Sequence, residues 1–327
     1  MRRVGHVLLA CLVALVLVLT GFWAAAAWRE TETADRLAPA TGRFVETRRG
    51  RIFVQEAGPA DGRPVLLVHG TAAWSELWRP SLDDLGGRGF RVVAIDLPPF
   101  GFSDRDPAGD YGRPAQAERL LALLDALGLR APTIVAHSIG AAPVVEAAIR
   151  APERVGALVL VCGALGLRDG PVAESGSPAR SLLAIAALRD PLVAATLTNP
   201  LLTRALFSRL VAKPDGLTDP VIATLQRPMR LRGSTPALGR WLHDLLGPER
   251  DAESARPDRY GAARMPTALI WGEKDAVTPL AQGERARALF PDATLAVLPG
   301  LGHVPQVEDP AAFRDALDAA LARVAPR

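Results

Sequence analysis

Polar and apolar positions divide the chain into three unequal parts. From Leu8 to Trp28 no residue is charged, and as a helix this run is about 31 Å long, close to the hydrocarbon thickness of a bilayer. Residues 29–42 are polar, with Pro39 and Gly42, and read as a linker. Beyond them, short continuous apolar runs alternate with stretches of helical spacing. Pro64–Val68, Arg91–Asp96, Thr133–His137, Val155–Val161, Thr267–Trp271 and Thr294–Leu298 have the character of strands buried on both faces. Leu77–Leu85, Ala115–Leu127, Ile139–Arg150, Leu280–Leu289 and Pro310–Val324 supply the intervening helices, several of them stopped by glycine. Phe44–Thr47 and Arg51–Glu56 flank Arg49-Gly50 as a hairpin.

This alternation predicts an α/β fold with a mostly parallel, doubly wound sheet. Residues 164–260 interrupt it with proline-rich helical stretches such as Ser181–Leu188 and Pro200–Leu210, and no buried strand. The expected organisation is therefore a membrane segment at 1–28, a linker at 29–42, a core of 43–163 and 261–327, and a helical cap at 164–260.

Composition narrows the function classes. Across 327 residues, 49% hydrophobic, the formal net charge is only +3, and basic residues cluster only at the N-terminus and at Arg48–Arg51, so nucleic acid is a poor partner. Two distant cysteines, Cys11 and Cys162, exclude both a disulfide framework and a cysteine-built zinc site. Arg2 and Arg3 before the apolar run place its start in the cytoplasm and the remaining chain outside. A cleavable signal peptide is the rival, because Ala24–Ala27 offers an A-x-A site and the product is then secreted or periplasmic. The run exceeds an ordinary signal core, which favours a retained, single-pass anchor.

The chemistry concentrates in Ala136-His137-Ser138-Ile139-Gly140. A β-branched run ends at a serine and a helix follows, the pattern of a sharp strand–turn–helix whose flanks must be nearly free of side chains. Three more loops fall beyond carboxyl ends of predicted strands: His69-Gly70-Thr71, Gly272–Asp275 and Gly300–His303. Asp96–Ser103 and the stretches Gly302–Pro305 and Glu308–Pro310 complete the set. Together these segments resemble the α/β-hydrolase fold family over roughly residues 43–163 and 265–324. The departures are Ala136 for the first glycine of G-x-S-x-G and Pro99 for a glycine in D-x-P-G-x-G-x-S.

The resemblance implies a Ser138 nucleophile, a His303 base and an orienting Asp275, in the family's chain order. The N–H of Ile139, at a helix start, suits an oxyanion hole. Thr71 completes it by resemblance, supported by His69, Gly70 and Gly140. His69 and His137 are rival bases, His69 being the better candidate for a structural brace; Asp96 and Asp104 read as loop organisers, His243 as a solvated helix residue and Cys162 as a small core residue. The loop Cys162–Leu165 has no carboxylate, which leaves Asp275 as the acid. Serine at the elbow argues against the dehalogenase and epoxide-hydrolase branches. The expected function is hydrolysis of an ester or related acyl bond through an acyl-enzyme, without metal or organic cofactor. Thioesterase and C–C bond hydrolase activity on ring-cleavage products remain alternatives, as does a non-catalytic α/β-hydrolase-like binding protein at the membrane.

Overall fold

A computed structural model describes residues 2–166, 178–247 and 251–325. Eight strands form one sheet: β1 (Gly42–Thr47), β2 (Gly50–Ala57), β3 (Arg63–Val68), β4 (Phe90–Ile95), β5 (Thr133–His137), β6 (Ala157–Val161), β7 (Thr267–Gly272) and β8 (Thr294–Leu298). Their order is β1-β2-β4-β3-β5-β6-β7-β8. The hairpin β1–β2 and the β2–β4 pair are antiparallel, and every later pair is parallel. The chain is thus an α/β protein with a mostly parallel sheet.

The apolar runs explain the layering. Val65–Val68 of β3 and all of β5 and β6 are buried, because helices cover both sides of the sheet. One core lies between the sheet and the helices Arg113–Ala126 and Ala141–Arg150; the other holds Leu82, Leu85, Phe313 and Leu317 from Arg79–Gly87 and Pro310–Arg323. In register, Val68 pairs with Ala136, and His137 with Val161. The loops after β3, β5 and β6 therefore leave the sheet side by side.

Between β6 and β7 the described residues form helices Pro178–Ala184, Ala186–Ala195, Thr203–Phe207, Asp219–Gln226 and Ser234–Leu245. The single helix expected at Ser181–Leu188 is two, parted at Ile185, which has extended backbone angles. Gly86 and Gly87, expected to stop the preceding helix, are its last residues; Gly89, at φ 87°, follows the turn.

At the N-terminus one helix runs from Arg2 to Arg29 and is long and apolar enough to cross a membrane. Most of it is exposed, whereas Ala26 is buried and Leu19 and Phe22, on the same helical stripe, are partly covered.

Residues 29–42 differ from the expected linker. Arg29 donates to the Thr198 carbonyl (2.7 Å). The buried carboxylate of Glu30 accepts from the backbone N–H of Thr235 (3.0 Å) and from its hydroxyl. Glu32 forms a β-bridge with Leu231, and a helical turn follows at Ala34–Leu37. The start of this stretch is instead held to a distant part of the chain by the bonds of Arg29 and Glu30. Glu30→Ala leaves the buried Thr235 N–H without an acceptor, while the Thr235 hydroxyl keeps Thr198 Oγ1 at 2.7 Å, a loss of about 1–3 kcal/mol. We expect a thermal midpoint several degrees below that of the wild type by circular dichroism, at roughly 2–4 °C per kcal/mol for a domain near this size. An unchanged midpoint would show that this clip contributes nothing to the fold.

Candidate active site

Ser138 follows the last residue of β5 and adopts φ 53°, a left-handed conformation uncommon for a residue with a side chain. A 3₁₀ turn, Ser138–Gly140, then feeds the helix Ala141–Arg150. A Cβ on Gly140 would lie 2.5 Å from the His69 carbonyl oxygen, and one on Gly70 would lie 2.8 Å from the Ser138 Cβ. Only glycine permits these approaches. The Ser138 carbonyl accepts from the Ala164 N–H (2.9 Å), which ties the turn to the loop beyond β6.

The serine, histidine and aspartate singled out by the sequence meet here. His303 Nε2 lies 2.8 Å from Ser138 Oγ, and His303 Nδ1 lies 2.8 Å from Asp275 Oδ2. All three side chains are buried. Asp275 Oδ1 accepts from the N–H groups of Val277 and Thr278 (2.8 Å each), and Oδ2 from the Thr278 hydroxyl (2.7 Å). Burial pushes the Asp275 carboxyl up, but His303 and Thr278 outweigh it and hold it below the usual carboxylate range.

The histidine loop is itself braced. Glu308 accepts from the N–H groups of Gly302 (2.9 Å) and Val304 (3.1 Å) on either side of His303, and from Ala212 and Lys213 in the insertion. The His303 N–H donates to the Leu210 carbonyl (2.9 Å).

The rival histidines take other positions. His69 Nε2 accepts from the Leu97 N–H (2.8 Å), so its proton sits on Nδ1 and is donated to the Gly70 carbonyl (2.8 Å). Burial pushes His69 down to about 4. His137 Nε2 donates to the His303 carbonyl (2.7 Å), and burial, with His303 beside it, pushes His137 down to about 3. Neither bonds to the Ser138 hydroxyl. Asp96 accepts from the N–H groups of Ser75 and Phe102 (2.7 Å each), while burial pushes its carboxyl up to about 6. Asp104 binds Arg51, and His243 sits partly exposed beside Asp244.

Thr71 directly follows His69-Gly70, and its N–H has no hydrogen-bond partner among the described residues. Ile139 directly follows the serine in the 3₁₀ turn. Beyond Thr71 an apolar pocket is lined by Ala72, Trp74, Phe100, Leu225, Met229 and Leu238, with Arg105 and Ser234 as its polar members.

Sequence reasoning missed Thr278 and the placement of Cys162. The thiol, expected simply in the core, lies beside the site, with donor atoms of Cys162, Asp275 and His303 within 4.8 Å of one another. Burial pushes the thiol up, and Asp275 is already committed to His303 and Thr278, so this donor set is organised as a hydrogen-bond chain and fits a metal poorly.

Residues 63–310 match the sequence profile of the alpha/beta hydrolase fold. The chain belongs to the α/β-hydrolase family. An uncharacterized protein of Mycobacterium tuberculosis is 30% identical over 290 residues, 86% of this chain and 81% of its own. A 2-hydroxy-6-oxononadienedioate/2-hydroxy-6-oxononatrienedioate hydrolase of Paraburkholderia phymatum is 26% identical over 309 residues, 88% of this chain and 98% of its own. Among solved structures, a membrane phospholipase A described as a bacterial virulence factor superposes with a TM-score of 0.67 at 25% identity, covering 99% of both chains. Family and relatives make this α/β-hydrolase a hydrolytic enzyme.

The buried groups set a pH dependence for this hydrolase. His69 and His137 stay neutral in the fold well below their ordinary value of 6.5. Below about pH 6.5 the unfolded chain therefore binds two protons that the native state does not, and stability falls with pH. Asp96 acts oppositely, because its raised value stabilises the native state as pH falls through about 6. Glu30, a second carboxyl raised by burial, acts in the same sense as Asp96, and the two histidine shifts still leave a net loss. The thermal midpoint measured by scanning fluorimetry should therefore fall from pH 6.5 to pH 5, and a rise would contradict this balance.

Proposed function

We propose that this α/β-hydrolase is a membrane-anchored serine hydrolase that cleaves an ester or related acyl bond through an acyl-enzyme on Ser138. The observation that carries the reading is the continuous chain Ser138–His303–Asp275, with 2.8 Å at each link. A serine hydroxyl is a weak nucleophile at neutral pH, so a base must remove its proton as it attacks. His303 Nε2 takes that proton, and Asp275 holds Nδ1–H and stabilises the imidazolium. The N–H groups of Ile139 and Thr71 receive the oxyanion. Collapse breaks the acyl–oxygen bond, and the leaving alcohol takes the proton from His303. Water then repeats the sequence on the acyl-enzyme and frees the acid. The helices between β6 and β7 act as a cap and bring Leu225, Met229 and Leu238 to the apolar pocket at Ala72, next to Thr71.

A second reading is C–C bond hydrolysis of a ring-cleavage product, favoured by relatives such as the Paraburkholderia phymatum hydrolase. It uses the same three residues, and comparing turnover of acyl esters of graded chain length with that of a dienoate substrate separates the two. Ser138→Ala should abolish both turnover and labelling by a fluorophosphonate probe, and Asp275→Asn should lower kcat by roughly 10⁴-fold by misorienting His303. Wild-type-like turnover in purified Ser138→Ala, or a wild type inert to the probe, would refute the catalytic reading and favour a binding protein.

The membrane assignment rests on the helix Arg2–Arg29 and is supported by the likeness to the membrane phospholipase A along the whole chain. Arg3 at the start of the helix favours a cytoplasmic N-terminus and a catalytic domain on the other side. The protein should stay with membranes after alkaline carbonate extraction, with the domain protected from protease on the cytoplasmic face. A soluble product cut near Ala26 would identify a signal peptide, and digestion from the cytoplasmic face would reverse the orientation.

A further inference from the structure

A second hollow opens where the N-terminal helix meets the insertion. Arg29, Leu37, Pro200, Arg227, Met229 and Arg230 line it, and it holds about 910 Å³ of space, counting that open to solvent. Its lining is mostly apolar in area and includes three arginines, of which Arg29 also donates to the Thr198 carbonyl. Their charge is only partly compensated. The Glu30 carboxylate is turned inward to Thr235, and its approach to Arg29 is no closer than 4.0 Å. Arg230 shares Glu32 with Arg36 (3.2 and 3.5 Å). Arg227 donates only to the Leu37 carbonyl (3.1 and 2.8 Å), and no carboxylate lies within ion-pair distance of it among the described residues. The hollow is therefore net positive.

Its position matters as much as its charge. Arg29 is the last residue of the membrane-spanning helix, so the hollow stands at the level where lipid headgroups meet water. Met229 is buried and lines both this hollow and the apolar pocket beyond Thr71, making it a shared wall. An unbranched thioether side chain adapts its shape more readily than a branched one.

We propose that this hollow binds the headgroup of an anionic phospholipid drawn from the bilayer that holds the anchor. The phosphate lies among Arg29, Arg227 and Arg230, and an acyl chain lies on Leu37 and Pro200 against Met229. Guanidinium groups suit this role because they pair with phosphate oxygens through two parallel N–H bonds. The inference rests on the reading of Arg2–Arg29 as a membrane anchor and makes no use of the chemistry at Ser138.

The test uses full-length Ser138→Ala protein in a neutral detergent, so that bound lipid cannot be turned over. Native mass spectrometry compares retention of dioleoyl phosphatidylglycerol with that of dioleoyl phosphatidylcholine. We expect preference for the anionic lipid, and its loss in Arg227→Gln/Arg230→Gln by roughly fivefold per arginine, equivalent to about 1 kcal/mol each. Arg227→Lys/Arg230→Lys should keep most of the preference. Should the glutamine pair fail to fold, Arg230→Gln alone decides the matter. Equal retention of both lipids, or an unchanged ratio in the glutamine variants, would overturn the proposal. So would displacement of the lipid by millimolar inorganic phosphate, which would identify a free-phosphate site. Carbonate extraction and probe labelling report separately on the anchor and on Ser138.

Discussion

The site depends on one close contact between backbones, the packing of the turn at Ser138 against the loop after β3. Gly140 lies against the His69 carbonyl and Gly70 against the Ser138 Cβ, so each loop is shaped by the other. Parallel register makes the contact possible, because Val68 and Ala136 are paired neighbours at the ends of β3 and β5. The serine's left-handed backbone is a local cost that the buried sheet beneath it sustains.

The histidine is positioned by a different kind of force. Its loop is a glycine-flanked excursion after β8, a strand largely exposed at the sheet edge, and apolar packing alone would leave it loose. Hydrogen bonds from outside the loop hold it: Glu308 on two neighbouring N–H groups, Leu210 on the His303 N–H and His137 on the His303 carbonyl. Two of these supports connect the histidine to the insertion, since Leu210 and the Ala212–Lys213 backbone belong to it. The arrangement couples the position of His303 to that of the helices above the site. The same insertion carries Thr235, in the helix Ser234–Leu245, and Thr198, in the turn after Ala186–Ala195, which bond to Glu30 and Arg29 at the end of the N-terminal helix. The N-terminal helix and the His303 loop are thus both hydrogen-bonded to the insertion.

Much of this was legible in the sequence, and the reason is local. Buried parallel strands must be continuous apolar runs, and helices covering them must be amphipathic, so periodicity alone located the later strands and their order of alternation. The elbow was legible because a turn that tight admits few residues, and the loops carrying Asp275 and His303 because they end predicted strands on the same edge of a parallel sheet. The length of the uncharged run from Leu8 to Trp28 likewise follows from the residues themselves.

What only the tertiary structure decided are contacts between segments far apart in the chain. The polar stretch 29–42 read as a linker, and nothing local distinguishes a solvated glutamate from one buried against Thr235, some 205 residues away. Cys162 read as ordinary core, and its left-handed backbone beside Asp275 and His303 appears only when β6, β7 and the last loop converge. Thr278 carries no motif, yet it donates to the carboxylate that orients the histidine. The neutral states of His69 and His137 depend on burial and on the partner of each ring nitrogen. Sequence periodicity records which face of an element is apolar; it holds no record of which polar group meets which once the elements have packed.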